Sequence, residues 1–128
     1  MIVDSSALVA LVFREPGFES LVDKLQRAAS GGIGTPTIVE TGIVLTARLQ
    51  RDARPLVAEL VREFDLMEVP FGAAHAREAI RAYLRFGRGR HAANLNYGDC
   101  LTYAIASLAG EPLLFTGRGF SATDLQAA

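Results

Sequence analysis

The chain has one cysteine, no tryptophan, two histidines and, in Lys24, a single lysine among its 13 basic residues. Cys100 cannot form an internal disulfide, and its apolar setting reads as a reduced core residue. His75 and His91 stand apart from each other and from Cys100, so no zinc-type ligand cluster is available. Glycine is plentiful, yet no Gly-x-Gly-x-x-Gly or Walker-type run follows a strand, which removes the usual nucleotide-phosphate loops. No stretch approaches the roughly 18 apolar residues of a membrane span. Asp4 interrupts the N-terminal apolar run with no basic region before it, so a signal peptide is not expected and a cytoplasmic location is. A net charge of −1 excludes a globally basic nucleic-acid binder but leaves room for a local basic patch. Aromatics are only 8% and mostly sit in apolar runs, so no base-stacking platform is evident.

Half of the 128 residues are hydrophobic, enough for the core of one domain spanning 1–128. Met1-Ile2-Val3 reads as a buried parallel strand running into Asp4-Ser5-Ser6, which can cap a helix over Ala7–Phe13. Pro16-Gly17 breaks that helix, and Phe18–Ala29 is amphipathic, with Phe18, Leu21, Val22 and Leu25 inward. Ile33-Gly34 is a short strand. Thr35-Pro36 then has the form of an N-cap followed by proline in the first helical position, opening an apolar helix to about Leu49. Further helices are expected over Asp52–Phe64 and Ala73–Phe86, with a strand at Leu66–Val69 between them. Gly87–His91 is a loop. Asn96 is a good N-cap for a helix starting at Tyr97, and Pro112–Thr116 is the last strand. Short strands alternating with helices give an α/β fold, a mostly parallel sheet covered on both faces, whose reactive rim lies at the strands' carboxyl ends.

Three carboxylates are then of interest. Asp99, in the first turn of the last long helix, faces free N–H groups and the positive end of the helix dipole, both of which favour its ionised form. Alone it reads as a cap. Asp4, at the end of the first strand, also reads alone as a cap. Glu40 shares a helix face with Ile43, Val44 and Ala47, and a carboxylate there is costly unless paired with an arginine or a cation. Brought to one rim, the three would repel unless a divalent cation sat among them, and all-oxygen sites of this kind suit Mg²⁺ or Mn²⁺ and act on phosphates. Arg77, Arg81 and Arg85 lie four apart on one helix face, and Arg88, Arg90 and His91 follow in the loop. They form either a solvated polar face or an electrostatic track for a polyanion, without sequence readout.

With these residues in place, the chain resembles the VapC-type toxins of the PIN-domain ribonucleases over nearly its whole length. The resemblance is carried by Met1-Ile2-Val3-Asp4-Ser5-Ser6-Ala7-Leu8, Thr37-Ile38-Val39-Glu40-Thr41, Gly87-Arg88-Gly89-Arg90-His91, Leu95-Asn96-Tyr97-Gly98-Asp99-Cys100 and Pro112-Leu113-Leu114-Phe115 with its Phe120-Ser121 and Thr123-Asp124 sequel. It implies a PIN-like three-layer α/β/α sandwich with a short, mostly parallel sheet, and an Mg²⁺- or Mn²⁺-dependent endoribonuclease leaving 5′-phosphate and 3′-hydroxyl ends. It further implies a cognate VapB-type antitoxin, a homodimer, and operator DNA bound only through the antitoxin. By position, Asp4 and Asp99 are the metal ligands, Glu40 the third catalytic acid and Ser6 a supporting hydroxyl. Arg77, Arg81, Arg85, Arg88 and Arg90 would hold the RNA backbone.

One departure is visible. The resemblance implies an acidic residue, usual in the family, between the last strand and the phenylalanine, where this chain has Gly117-Arg118-Gly119-Phe120. Asp124 is the candidate substitute among the catalytic residues, or else a cap or turn residue. The bare Gly119 supports the alternative of a weakened nuclease that binds RNA or antitoxin without cutting. A phosphoacceptor receiver domain also has rim aspartates, but it needs paired acids after the first strand and a lysine after the last. Here Asp4 stands alone and the only lysine is Lys24.

Overall fold

The computed structural model describes residues 1–128. The elements run β1 (Ile2–Val3), α1 (Ser5–Val12), α2 (Phe18–Arg27), β2 (Gly31–Gly34), α3 (Thr35–Leu49), α4 (Arg54–Glu63), β3 (Leu66–Val69), α5 (Ala73–Phe86), α6 (Tyr97–Ala109) and β4 (Leu113–Leu114), with a short 3₁₀ turn at Phe120–Ala122. The expected α/β architecture is present. The four-stranded sheet has the order β3-β2-β1-β4, and every pairing is parallel.

Side chains alternate across the sheet. Ile2 and Leu113 face the α5–α6 layer, in one core with Ala82, Phe86, Leu95 and Tyr103. Val3 and Leu114 face the other way, packing with Leu8, Leu21 and Leu25 from α1 and α2. A smaller core of Leu45, Ala53, Val57 and Leu60 joins α3 to α4. No helix is long and apolar enough to cross a membrane.

The details depart from sequence expectation where local chemistry is stronger than pattern. Helix α1 begins at Ser5 rather than Ala7, because Asp4 caps it alone by accepting from the Ser6 N–H. Helix α3 begins at Thr35 itself, with Gly34 as N-cap and no side-chain cap, so Thr35 is not the cap. Strand β4 is only two residues long, and β2 is longer than Ile33-Gly34. Its glycines hide that strand from a reading based on β-branched residues, although it lies inside the sheet between β1 and β3.

The last of those glycines, Gly34, also sets how closely α6 approaches. A Cβ on Gly34 would lie 2.8 Å from Cγ1 of the buried Ile105, so this side chain of α6 packs directly on the β2 backbone. The hydroxyls of Thr37 and Thr102, 3.1 Å apart, tie α3 to α6 across the same seam. Gly34→Ala is therefore expected to destabilise the domain by about 1–3 kcal/mol through overpacking. In urea unfolding, Ile105→Ala should cost less in the Gly34→Ala background than alone, because it vacates the contested volume.

Candidate active site

Helix α1 follows β1 and the tail follows β4 at the point where the strand order reverses, so the two C-terminal strand ends form one rim. Asp4 is buried there, 4% exposed. Its Oδ2 accepts from the Ser6 N–H at 3.1 Å and the Ser6 hydroxyl at 2.6 Å. Ser6 Oγ in turn accepts from the Thr116 N–H at 3.0 Å, which ties Asp4 to the segment after β4. Glu40, half-buried on α3, accepts at Oε1 from the Ser5 hydroxyl. The two serines after Asp4 thus serve different carboxylates.

Asp99 and Asn96 form a reciprocal capping box. The Asp99 N–H donates to Asn96 Oδ1 at 2.9 Å, and Asp99 Oδ2 accepts from the Asn96 N–H at 3.0 Å. The cap is as expected; its electrostatics are not. Burial pushes the Asp99 carboxyl above the ordinary carboxylate value, the Asn96 N–H opposes this, the Asp4 and Glu40 carboxylates reinforce it, and Arg88 opposes it. The helix start's pull towards the ionised form is outweighed by burial and by two like charges, so the net shift is upward.

Asp4, Glu40 and Asp99 are therefore brought within electrostatic reach of one another. They do not close into a ready-made cage: no three acidic, imidazole or thiol side chains converge as a ligand group. The donor set nevertheless fits a hard divalent cation. Asp4 and Asp99 each commit one oxygen to their own helix start and leave the other without a protein hydrogen bond. Neither remaining oxygen is sealed from solvent without a partner. The one cation acting on Asp99 is Arg88, from a loop pinned by Arg88 N–H to Leu95 carbonyl and Leu95 N–H to Phe86 carbonyl bonds of 2.9 and 3.0 Å. Oxygen donors with excess negative charge suit Mg²⁺ or Mn²⁺.

The other candidates are placed differently. Asp124 does not join the three carboxylates. Its Oδ1 accepts from the Tyr103 hydroxyl at 2.7 Å, and its Oδ2 lies 3.3 Å from Arg85. The tail after β4 returns to the sheet edge, where Leu113 bridges Ala127, and so holds Asp124 against Tyr103 and Arg85 instead. Arg85 is consequently engaged, and it also stacks 4.6 Å over the Phe86 ring. Arg81 pairs with Glu78 at 3.6 Å, and Arg90 Nε donates to the Leu84 carbonyl at 3.2 Å. Arg77 is exposed and makes no ion pair. Of the five arginines, Arg88 is the one whose charge reaches Asp99.

The family model for the PIN domain matches residues 1–125. The chain belongs to the PIN-domain family. Within it, this PIN domain falls among the VapC ribonucleases. It is 48% identical over 127 residues to ribonuclease VapC36 of Mycobacterium tuberculosis, covering 98% of this chain and 91% of that one. It is 39% identical over 129 residues to ribonuclease VapC42 of the same species, covering 100% and 98%. The fold matches the crystal structure of M. tuberculosis VapC20, a sarcin-ricin loop cleaving toxin, with a TM-score of 0.80 at 15% identity over 99% of this chain and 97% of that one. A toxin–antitoxin complex from Klebsiella pneumoniae matches with a TM-score of 0.71 at 13% identity, covering 96% and 92%.

Sequence reasoning missed Ser5 as the partner of Glu40, Thr116 as the link to Ser6, and Tyr103 as the anchor of Asp124. None has a local pattern, since each contact joins segments far apart in the chain. Burial raises the Tyr103 hydroxyl, helped by its bond to Asp124, to about 12. For Asp124, burial works against ionisation, but Tyr103 and Arg85 exceed it and hold the carboxyl below the ordinary value. Tyr103→Phe and Asp124→Asn should each lower stability by about 1 kcal/mol at neutral pH. The double variant should lose less than the sum in urea unfolding, and fully additive losses would show that the contact is not made.

Proposed function

We propose that this PIN domain is a divalent-cation-dependent endoribonuclease, the toxin of a type II toxin–antitoxin pair. The observation that carries this reading is the nearness of Asp4, Glu40 and Asp99 at the switch point of the sheet, with Asp99 pushed up by burial and then by the other two carboxylates. The ribonuclease names of relatives up to 48% identical support the substrate class. The toxin–antitoxin complex among the structural matches supports a VapB-type partner. A homodimer, and operator DNA reached only through the antitoxin, belong to the same proposal.

Asp4 and Asp99, each with one carboxylate oxygen not hydrogen-bonded to the protein, would hold the Mg²⁺ or Mn²⁺. Such a cation, when bound, would supply a lowered pKa for water and positive charge against the scissile phosphate. Ser6 keeps Asp4 in one rotamer and joins it to the backbone after β4. Glu40, oriented by Ser5, accepts the proton of the attacking water. Arg88 supplies the positive charge nearest the carboxylates and steadies an RNA phosphate there, while Arg77, Arg81, Arg85 and Arg90 attract the backbone along α5 and the loop. Arg85 and Arg90 must first leave their intramolecular partners.

Asp4→Asn and Asp99→Asn should each reduce RNA cleavage in Mg²⁺ or Mn²⁺ by about a hundredfold or more, the scale of losing a metal ligand or its support. Cleavage at the wild-type rate by either variant would refute the assignment. A second reading, a binding module without cleavage, is favoured by the bare Gly119 and by the engagement of Asp124 elsewhere. It predicts an inactive wild type that gains activity in Gly119→Asp.

A further inference from the structure

Glu40 reaches the rim from the second turn of α3, and its carboxylate is located by two features outside its own helix. One is the Ser5 hydroxyl on Oε1. The other is a missing atom. The position a Cβ would take on Gly98 is already filled by Glu40 Oε2, with Cδ and Oε1 at 3.2 and 3.5 Å from the same point. The three nearest atoms to that position all belong to Glu40. Gly98 is the second residue of α6 and has no positive φ, so the backbone conformation does not require glycine. A helix also disfavours glycine relative to alanine. Its value at this position is space.

We propose that Gly98 is a positioning residue: by lacking a Cβ it opens the recess in which the Glu40 carboxylate, tied to Ser5, lies beside the first turn of α6. This rests on the reading of Glu40 as the group that orients and deprotonates water. A methyl at 98 would not disrupt the core, since what it meets is the far end of a flexible side chain. It would push the carboxylate off its hydrogen bond and away from the place where the water must be held. Ser5 and Gly98 therefore act on the reaction through Glu40 and touch no substrate themselves.

The test uses the full chain. Gly98→Ala should keep a melting temperature at or above wild type. Its kcat for RNA should fall by on the order of tenfold to a hundredfold while KM changes by less than about twofold, as expected of a misplaced catalytic group. In cation-free protein, the ¹³C resonance of the Glu40 side-chain carboxyl, assigned by its loss in Glu40→Gln, should move in Gly98→Ala and Ser5→Ala and stay in Ser5→Thr. Glu40→Asp shortens the acid by one methylene, so adding Gly98→Ala to it should cost less than about twofold. An unmoved resonance with wild-type kcat in Gly98→Ala overturns the proposal, as does an equal fractional loss in the wild-type and Glu40→Asp backgrounds. Wild-type cleavage by Glu40→Gln would instead remove the catalytic reading of Glu40, and the resonance alone would then decide the placement.

Discussion

Carboxylates gathered in a partly buried place repel one another, and much of this molecule is arranged around that fact. Asp4, Glu40 and Asp99 come from the β1–α1 junction, α3 and α6, elements far apart in sequence, and only Arg88 brings positive charge to bear on Asp99. Each carboxylate is instead held by neutral donors: Ser6 and its N–H for Asp4, Ser5 for Glu40, the Asn96 N–H for Asp99. Neutral donors fix orientation without cancelling charge. On the proposed reading, this would leave the site a net attraction for a cation, which a set of ion pairs would have removed.

The rest of the fold sets the distances. The strand order β3-β2-β1-β4 places the ends of β1 and β4 side by side, so α1 and the tail start from one rim. Gly34 lets α6 lie against β2, and the Thr37–Thr102 contact fixes α3 against α6. That seam brings Glu40 to the first turn of α6. The tail, secured by Tyr103 and Arg85 through Asp124, runs back beside β4 rather than adding a carboxylate to the rim.

The alternation of strands and helices, the rim position of Asp4 and the cap at Asn96 were legible in the sequence because they rest on local signals: β-branched runs, capping residues and proline. Glu40 stood out because a carboxylate on an apolar face is costly. What stayed hidden depends on tertiary contact. The glycine-rich β2 has no side-chain signature, Ser5 and Ser6 read as one capping pair although they serve different acids, and Asp124 read as a possible site acid until its contact with Tyr103 was seen. Asp99 is the sharpest case. The helix start alone favours its ionised form, and only the fold brings the burial and the two neighbouring carboxylates that reverse the balance.

The central claim, that the carboxylates form a site whose charge is balanced by a bound cation, is tested most directly by thermal unfolding of wild type and Asp99→Asn at neutral pH, with chelator and with Mg²⁺. Because the folded state raises the Asp99 carboxyl, its ionisation opposes folding above that raised value, and the opposition fades as pH falls through it. The neutral variant should therefore melt above wild type in chelator, and Mg²⁺ should stabilise wild type far more than the variant. A variant that melts below wild type in chelator, or that gains as much from Mg²⁺, would contradict the account.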